Sequence, residues 1–202
     1  MLDDRLDGWL KRLFPFVFRW TLSPNLLTVI GTLISLVAAA AFAAGWLAVG
    51  GGLILAGGFF DLVDGAIARH RGIATRFGGF LDSTLDRLVD MALLFGIAMH
   101  FALAGEPARM LLAGCALIAS VLVSYTQARA EITVPRFLRV GILERGERIG
   151  LLAAGAILGL MVPALWIITI GSAITVAQRM AQAFREMEQI DRAERAGLEG
   201  SS

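Results

Sequence analysis

The sequence predicts an all-α integral membrane protein: six transmembrane helices preceded by an N-terminal amphipathic helix lying in the membrane interface. Three observations predict it. Of the 202 residues, 57% are hydrophobic and 17% charged, where a soluble domain carries roughly a quarter charged residues. The apolar stretches are long and uninterrupted, the pattern of spanning helices, whereas barrel strands would alternate. Polar and Gly/Pro punctuation divides them into six.

Taken in order, residues 1–22 mix charges with Trp9, Leu10, Leu13, Phe14, Phe16, Phe18 and Trp20, as in an interfacial helix with aromatics at headgroup depth. A solvated leader is the plainer alternative. Asp3, Asp4, Arg5 and Asp7 come first, and no small-residue cleavage site follows a short apolar core, so the segment is not read as a signal peptide. Residues 23–186 form one six-helix domain. Ser23-Pro24-Asn25 breaks the leader and starts the first span, about Leu26 to Gly45. The second runs from about Leu47 to Ala68, the third from Gly79 to Ala104, and the fourth from Ala108 to Ala130. A charged loop, Glu131 to Arg148, precedes a fifth span at about Ile149 to Val162; Pro163 then turns the chain into the sixth, Ala164 to Phe184. Residues 187–202 read as a polar, loosely ordered tail. Gly50-Gly51-Gly52 and Gly57-Gly58 in the second span let a neighbouring helix approach closely. The single cysteine, Cys115, sits in an apolar run and reads as a packing residue.

Net charge is only +1, but its distribution is informative. With six spans, Arg69, Arg71, Arg76, the arginines of the 129–148 region, the leader and the tail share one side, and Arg109 falls on the other. The positive-inside rule makes the arginine-rich side cytoplasmic. The expectation is a multi-pass protein of the cell (inner) membrane with both termini cytoplasmic.

The chemistry concentrates between the second and third spans. Asp61 and Asp64 are three residues apart, and Asp82 and Asp86 four, so on helices each pair shares a face. Carboxylates beside an apolar span are costly unless paired or metal-bound, which disfavours a purely structural role as caps or ion pairs. Four acids from two helices can cage one or two divalent cations with oxygen alone, Mg²⁺ first and Mn²⁺ next. Two histidines and one cysteine offer no zinc cluster. Gly65 and Gly78 suit a close approach of backbone or nucleotide, and Arg69 is placed to bind phosphate oxygens. No Walker or G-x-G-x-x-G run occurs, and no nucleic-acid partner is expected. Asp90 continues the face of Asp86; it either orients an acceptor or pairs with an arginine such as Arg87.

The run D61-L-V-D64-G65-A-I-A68-R69, then eight residues, G78-x3-D82-x3-D86 fits D-x-x-D-G-x-x-A-R-x8-G-x3-D-x3-D with no departure. The chain thereby resembles the CDP-alcohol phosphotransferase family. That resemblance implies transfer of a phosphatidyl group from CDP-diacylglycerol to an alcohol with release of CMP. Asp61, Asp64 and Asp82 then hold the metal, two ions of Mg²⁺ or Mn²⁺. Asp86 is the catalytic base and a further metal contact, and Asn25, Gly65, Arg69, Thr75 and Gly78 bind the CDP-lipid. A homodimer in a lipid bilayer is implied too.

Acceptor choice is read from other segments. Ser124-Tyr125-Thr126-Gln127-Ala128-Arg129-Ala130-Glu131, Glu144-Arg145-Gly146-Glu147-Arg148, Gln178-Arg179 and the D-S-x-x-D-R form at Asp82–Arg87 resemble the phosphatidylinositol-phosphate synthase branch. Gln127 stands where that branch often has lysine. Arg129, Arg145, Arg148 and Arg179 are the candidate ligands of an acceptor phosphate, since guanidinium forks match phosphate oxygens; snorkelling to anionic headgroups is the alternative. The expected acceptor is a phosphorylated polyol, inositol phosphate, with glycerol 3-phosphate as runner-up. A small transporter or ion-binding protein is the rival outside enzymes, disfavoured because the acids gather at one face rather than across the midplane.

Overall fold

The structure, a computed structural model, describes residues 23–134 and 140–199; the interfacial helix expected over residues 1–22 lies outside them. The described residues form six helices: α1 (Pro24–Ala43), α2 (Leu47–Arg71), α3 (Arg76–Leu103), α4 (Pro107–Thr133), α5 (Arg145–Ile157) and α6 (Met161–Glu199).

Local chemistry sets the ends that matter. Ser23 caps α1, its hydroxyl accepting from the Leu26 amide at 3.4 Å, with Pro24 in the first turn, where its missing N–H costs nothing. α2 stops at Gly72, whose φ of 65° is open to glycine. The Gly72 and Ile73 amides return to the Arg69 and Ala68 carbonyls at 3.2 and 3.1 Å, satisfying two orphan acceptors. Thr75 then caps α3, its hydroxyl accepting from the Gly78 amide at 2.9 Å. Two firm ends separated by so short a link set the C-terminal turns of α2 beside the N-terminal turns of α3. Both helices pack mainly on α1 rather than on each other, so the side chains between them face a gap. The other packed pairs are α2 with α5, α3 with α4, α4 with α6 and α5 with α6.

One core runs through the bundle, with Phe42, Ile54, Leu93, Ile97, Leu152 and Leu165 fully buried. A smaller cluster of Leu27, Val63 and Ile67, flanked by Phe59 and Phe60, joins α1 to α2 next to the acid-bearing turns. α1, α2, α4 and α6 are long and apolar enough to cross a membrane. α3 has the length, but its first fifteen residues carry Arg76, Asp82, Asp86, Arg87 and Asp90. α5 has 13 residues, about 20 Å at 1.5 Å per residue, short of the roughly 30 Å hydrocarbon layer.

Four expectations change. The fifth helix begins earlier than Ile149 and ends at Ile157, because the turn falls at Gly159, with φ 71°. Pro163 therefore lies in the first turn of α6, where proline is tolerated. The segment from residue 187 continues α6 to Glu199 instead of forming a loose tail. A Gln182–Glu186 contact at 2.6 Å just before that extension and a Glu188–Arg192 contact at 2.7 Å within it have the spacing at which side chains support a helix. Cys115 lies on an exposed face and does not pack in the core.

The α1–α2 crossing depends on missing side chains. A Cβ on Gly57 would overlap Ser35 and stand 2.9 Å from the Gly31 carbonyl, whereas one on Gly52 would meet nothing within 4 Å. Gly57→Val should therefore lower stability by about 1–3 kcal/mol, read as a depressed melting temperature in detergent. Gly52→Ala, with open space at its Cβ and a better helix former in place, should keep or slightly raise it. Equal effects from the two would refute the close crossing.

Candidate active site

The helix ends just described bring Asp61 and Asp64 of α2 to Asp82 of α3: one carboxylate oxygen from each lies within 4.8 Å of the others. Like charges at such range repel, and desolvation adds to the cost. Asp64 is 6% exposed, and its Oδ2 is buried without a hydrogen-bond partner, an arrangement proteins avoid unless something else takes the lone pairs. Three converging hard oxygen donors, one of them orphaned, fit Mg²⁺ or Mn²⁺. Asp86 stands one turn beyond Asp82 and outside that trio.

A guanidinium enters from the other side. Arg145, the first residue of α5, reaches Asp61 at 3.0 Å, Asp86 at 2.9 Å and Asp90 at 3.4 Å. Arg148, one turn on, pairs with Asp90 at 3.1 Å and donates to the Leu143 carbonyl at 3.3 Å. Asp90 is thus paired with α5, not with Arg87, whose guanidinium donates to the Ser83 carbonyl of its own helix.

Three cavities meet at these carboxylates. A cleft of about 410 Å³ is walled by Asn25, Thr28, Gly65, Arg69, Thr75 and Gly78, with Asp64 and Asp82 at its edge. It gathers every residue expected to bind the CDP-lipid. A Cβ on Gly78 would come within 3.1 Å of Asn25 and Thr75, so glycine there keeps the cleft open. A groove of about 420 Å³ runs between α1, α2 and α5 over Ile54, Leu55, Gly58 and Leu62 and ends at Asp61, Asp86 and Arg145. A polar cavity of about 220 Å³ lies beyond Asp82 and Asp86, lined by Gln127, Glu144, Arg145, Arg148 and Arg179.

Of the four arginines expected at an acceptor phosphate, three line that polar cavity. Arg129 does not: it is on an exposed face near the end of α4, where its carbonyl accepts from the Thr133 hydroxyl at 3.3 Å. Arg179 lines the cavity but also donates to the Val140 and Val123 carbonyls, at 2.9 and 2.6 Å. Gln127 is buried with its amide donating to Glu131 at 2.7 Å. Sequence reasoning did not anticipate Arg145 within the acid cluster, or Glu144 and Thr28 on the cavity walls. The arginine spacing of three in Arg145–Arg148, which shares a helix face, was the available signal.

Comparison with known proteins agrees with this geometry. The sequence profile of CDP-alcohol phosphatidyltransferases matches residues 21–181. The archaetidylinositol phosphate synthase of Pyrococcus horikoshii is 40% identical over 167 residues, covering 83% of this chain and 86% of that one. The crystal structure of Mycobacterium tuberculosis phosphatidylinositol phosphate synthase with CDP-DAG bound superposes with a TM-score of 0.74 at 29% identity, covering 90% of this chain and 93% of that chain. The same enzyme in complex with manganese and citrate gives 0.75 at 29% identity, covering 90% and 88%. A match of sequence and of fold over most of the chain, with the motif's carboxylates converging at one site, leaves one assignment: this protein belongs to the CDP-alcohol phosphatidyltransferase family.

Proposed function

We propose that the protein transfers the phosphatidyl group of CDP-diacylglycerol to inositol phosphate, releasing CMP. The observation that carries this is the meeting of three unlike cavities at one acid cluster. The donor has a nucleotide end and a lipid end joined by a pyrophosphate, and the acceptor must reach the phosphorus between them. A polar cleft, an apolar groove and an arginine-lined cavity, the cavity sharing Asp82 with the cleft and Asp86 with the groove, suit those three demands. The names of the Pyrococcus and Mycobacterium enzymes differ in lipid but share the inositol phosphate headgroup, which supports the acceptor.

Asp61, Asp64 and Asp82 would hold Mg²⁺ or Mn²⁺, which when bound supplies charge to neutralise the pyrophosphate. Arg69 and the glycines Gly65 and Gly78 seat the CMP half. Asp86 accepts the proton of the acceptor hydroxyl, whose oxygen bonds to the phosphatidyl phosphorus as the bond to the CMP oxygen breaks. Arg145, Arg148 and Arg179 receive the acceptor phosphate; Arg129 is left to the membrane surface. The same proposal places α3 and α5 in the membrane beside the four long apolar helices, in a homodimer with the site and both termini cytoplasmic. Positive-inside placement of the arginines supports that orientation.

The reaction is tested by incubating the purified protein with CDP-diacylglycerol and an acceptor panel, following CMP and the lipid product. Inositol phosphate should be used at least tenfold better than free inositol, whose lack of a phosphate leaves the arginines unpaired. Free inositol used equally well would defeat the acceptor assignment, and preference for glycerol 3-phosphate would favour the runner-up. Asp86→Asn should cut turnover by roughly a hundredfold or more at saturating substrates, the scale of a lost general base, with CDP-lipid affinity kept. Near-normal turnover would assign the base elsewhere.

A further inference from the structure

Asp90 lies deeper along α3 than the motif, 7% exposed, with both carboxylate oxygens taken: Oδ1 by Nε of Arg145 at 3.4 Å and Oδ2 by Nη2 of Arg148 at 3.1 Å. It stands outside the three-aspartate group. Each of its oxygens faces a guanidinium, so its charge is already compensated by α5. What it holds is more informative. Arg148, 3% exposed, has Asp90 as its one carboxylate partner among the described residues and spends another N–H on the Leu143 carbonyl. Leu143 in turn donates its amide to the Thr175 hydroxyl of α6 at 3.2 Å. Two residues earlier, a Cβ on Gly141 would overlap the Thr175 side chain, so the strap 140–144 is pressed onto α6. Arg179 fastens its start through the Val140 carbonyl.

The strap leads directly into Glu144 and Arg145, which line the polar cavity. Its position therefore fixes where the Arg145 guanidinium sits, and Asp90 grips the arrangement from α3 by two arginines at once.

We infer that Asp90 is the positioning residue of the acceptor cavity: by clamping Arg145 and Arg148 it holds the 140–144 strap and both guanidinium groups in place for the acceptor phosphate. The inference rests on the proposed acceptor reading and deepens it. Asp90 acts through the arginines and touches no reacting atom.

The test is steady-state kinetics of the full-length protein in detergent with Asp90→Asn, varying each substrate separately. The Michaelis constant for inositol phosphate should rise roughly ten- to hundredfold, the effect of a lost charge-assisted contact. The constant for CDP-diacylglycerol and the affinity for Mn²⁺ should stay within about threefold, a split that general loosening of the fold would not produce. Both Michaelis constants rising together, or turnover falling with the acceptor constant unchanged, would overturn the inference.

Because Asp90→Asn leaves a buried guanidinium without a counter-charge, it can also destabilise. The paired variant Asp90→Asn/Arg148→Gln, in which neutral amides replace both charges, guards against that. It should recover the melting temperature; its acceptor constant stays high in any case, because Arg148 is itself a proposed phosphate ligand. The acceptor effect is therefore read from Asp90→Asn below its melting temperature, where a normal acceptor constant would show that Asp90 serves the fold alone. The acceptor panel on the unmodified protein separates the two layers. Preference for another acceptor there sinks the inositol phosphate reading, whereas a wild-type preference for inositol phosphate with an unmoved constant in Asp90→Asn sinks Asp90.

Discussion

The mutual repulsion of carboxylates gathered where α2 ends and α3 begins is the constraint on which the rest of the molecule depends. Asp61, Asp64 and Asp82 bring oxygens within 4.8 Å of one another, and Asp64 has an oxygen buried without a partner. A fold does not concentrate negative charge in an apolar bundle without a compensating cation. Part of the compensation is internal, from Arg145 and Arg148 on α5. That compensation leaves an oxygen of Asp64 without a partner and so leaves room for a divalent ion, and all three donors of the trio are of the hard kind such an ion prefers.

The architecture follows from holding that cluster open. α2 and α3 both pack on α1, which lets their acid-bearing turns face a gap instead of each other's backbones. The Gly31–Gly57 crossing sets α1 close enough for Asn25 and Thr28 to wall the nucleotide-sized cleft. From the far side, α6 fastens the strap ahead of α5 through Thr175 and Arg179. Each neighbouring element thus closes one side of a site whose centre repels itself, and the three remaining openings become the three cavities.

Much of the centre was legible in the sequence because a helix converts spacing into a shared face. Asp61/Asp64 and Asp82/Asp86 needed only the period of 3.6, and Ser23-Pro24 announced the start of the first helix. Partners across the bundle were not legible, since periodicity tells which face a residue occupies and not what faces it. Arg145 meets Asp61 across 84 positions of chain. Arg129 and Arg179 looked alike as arginines near helix ends, yet one is exposed and the other is bound to two backbone carbonyls in the interior. The length of α6 beyond residue 187 was hidden because polarity was read as disorder, when side chains four apart were stabilising a surface helix.

The central claim, that the trio exists to hold a divalent cation, is tested most directly by titrating the full-length protein with Mn²⁺ and following the free ion by electron paramagnetic resonance. The account predicts saturable binding that Mg²⁺ competes away, and at least a tenfold loss of affinity in Asp64→Asn, a loss of at least about 1.4 kcal/mol. Undiminished Mn²⁺ binding in Asp64→Asn would contradict it, because the orphaned oxygen of Asp64 would then have no part in holding the ion.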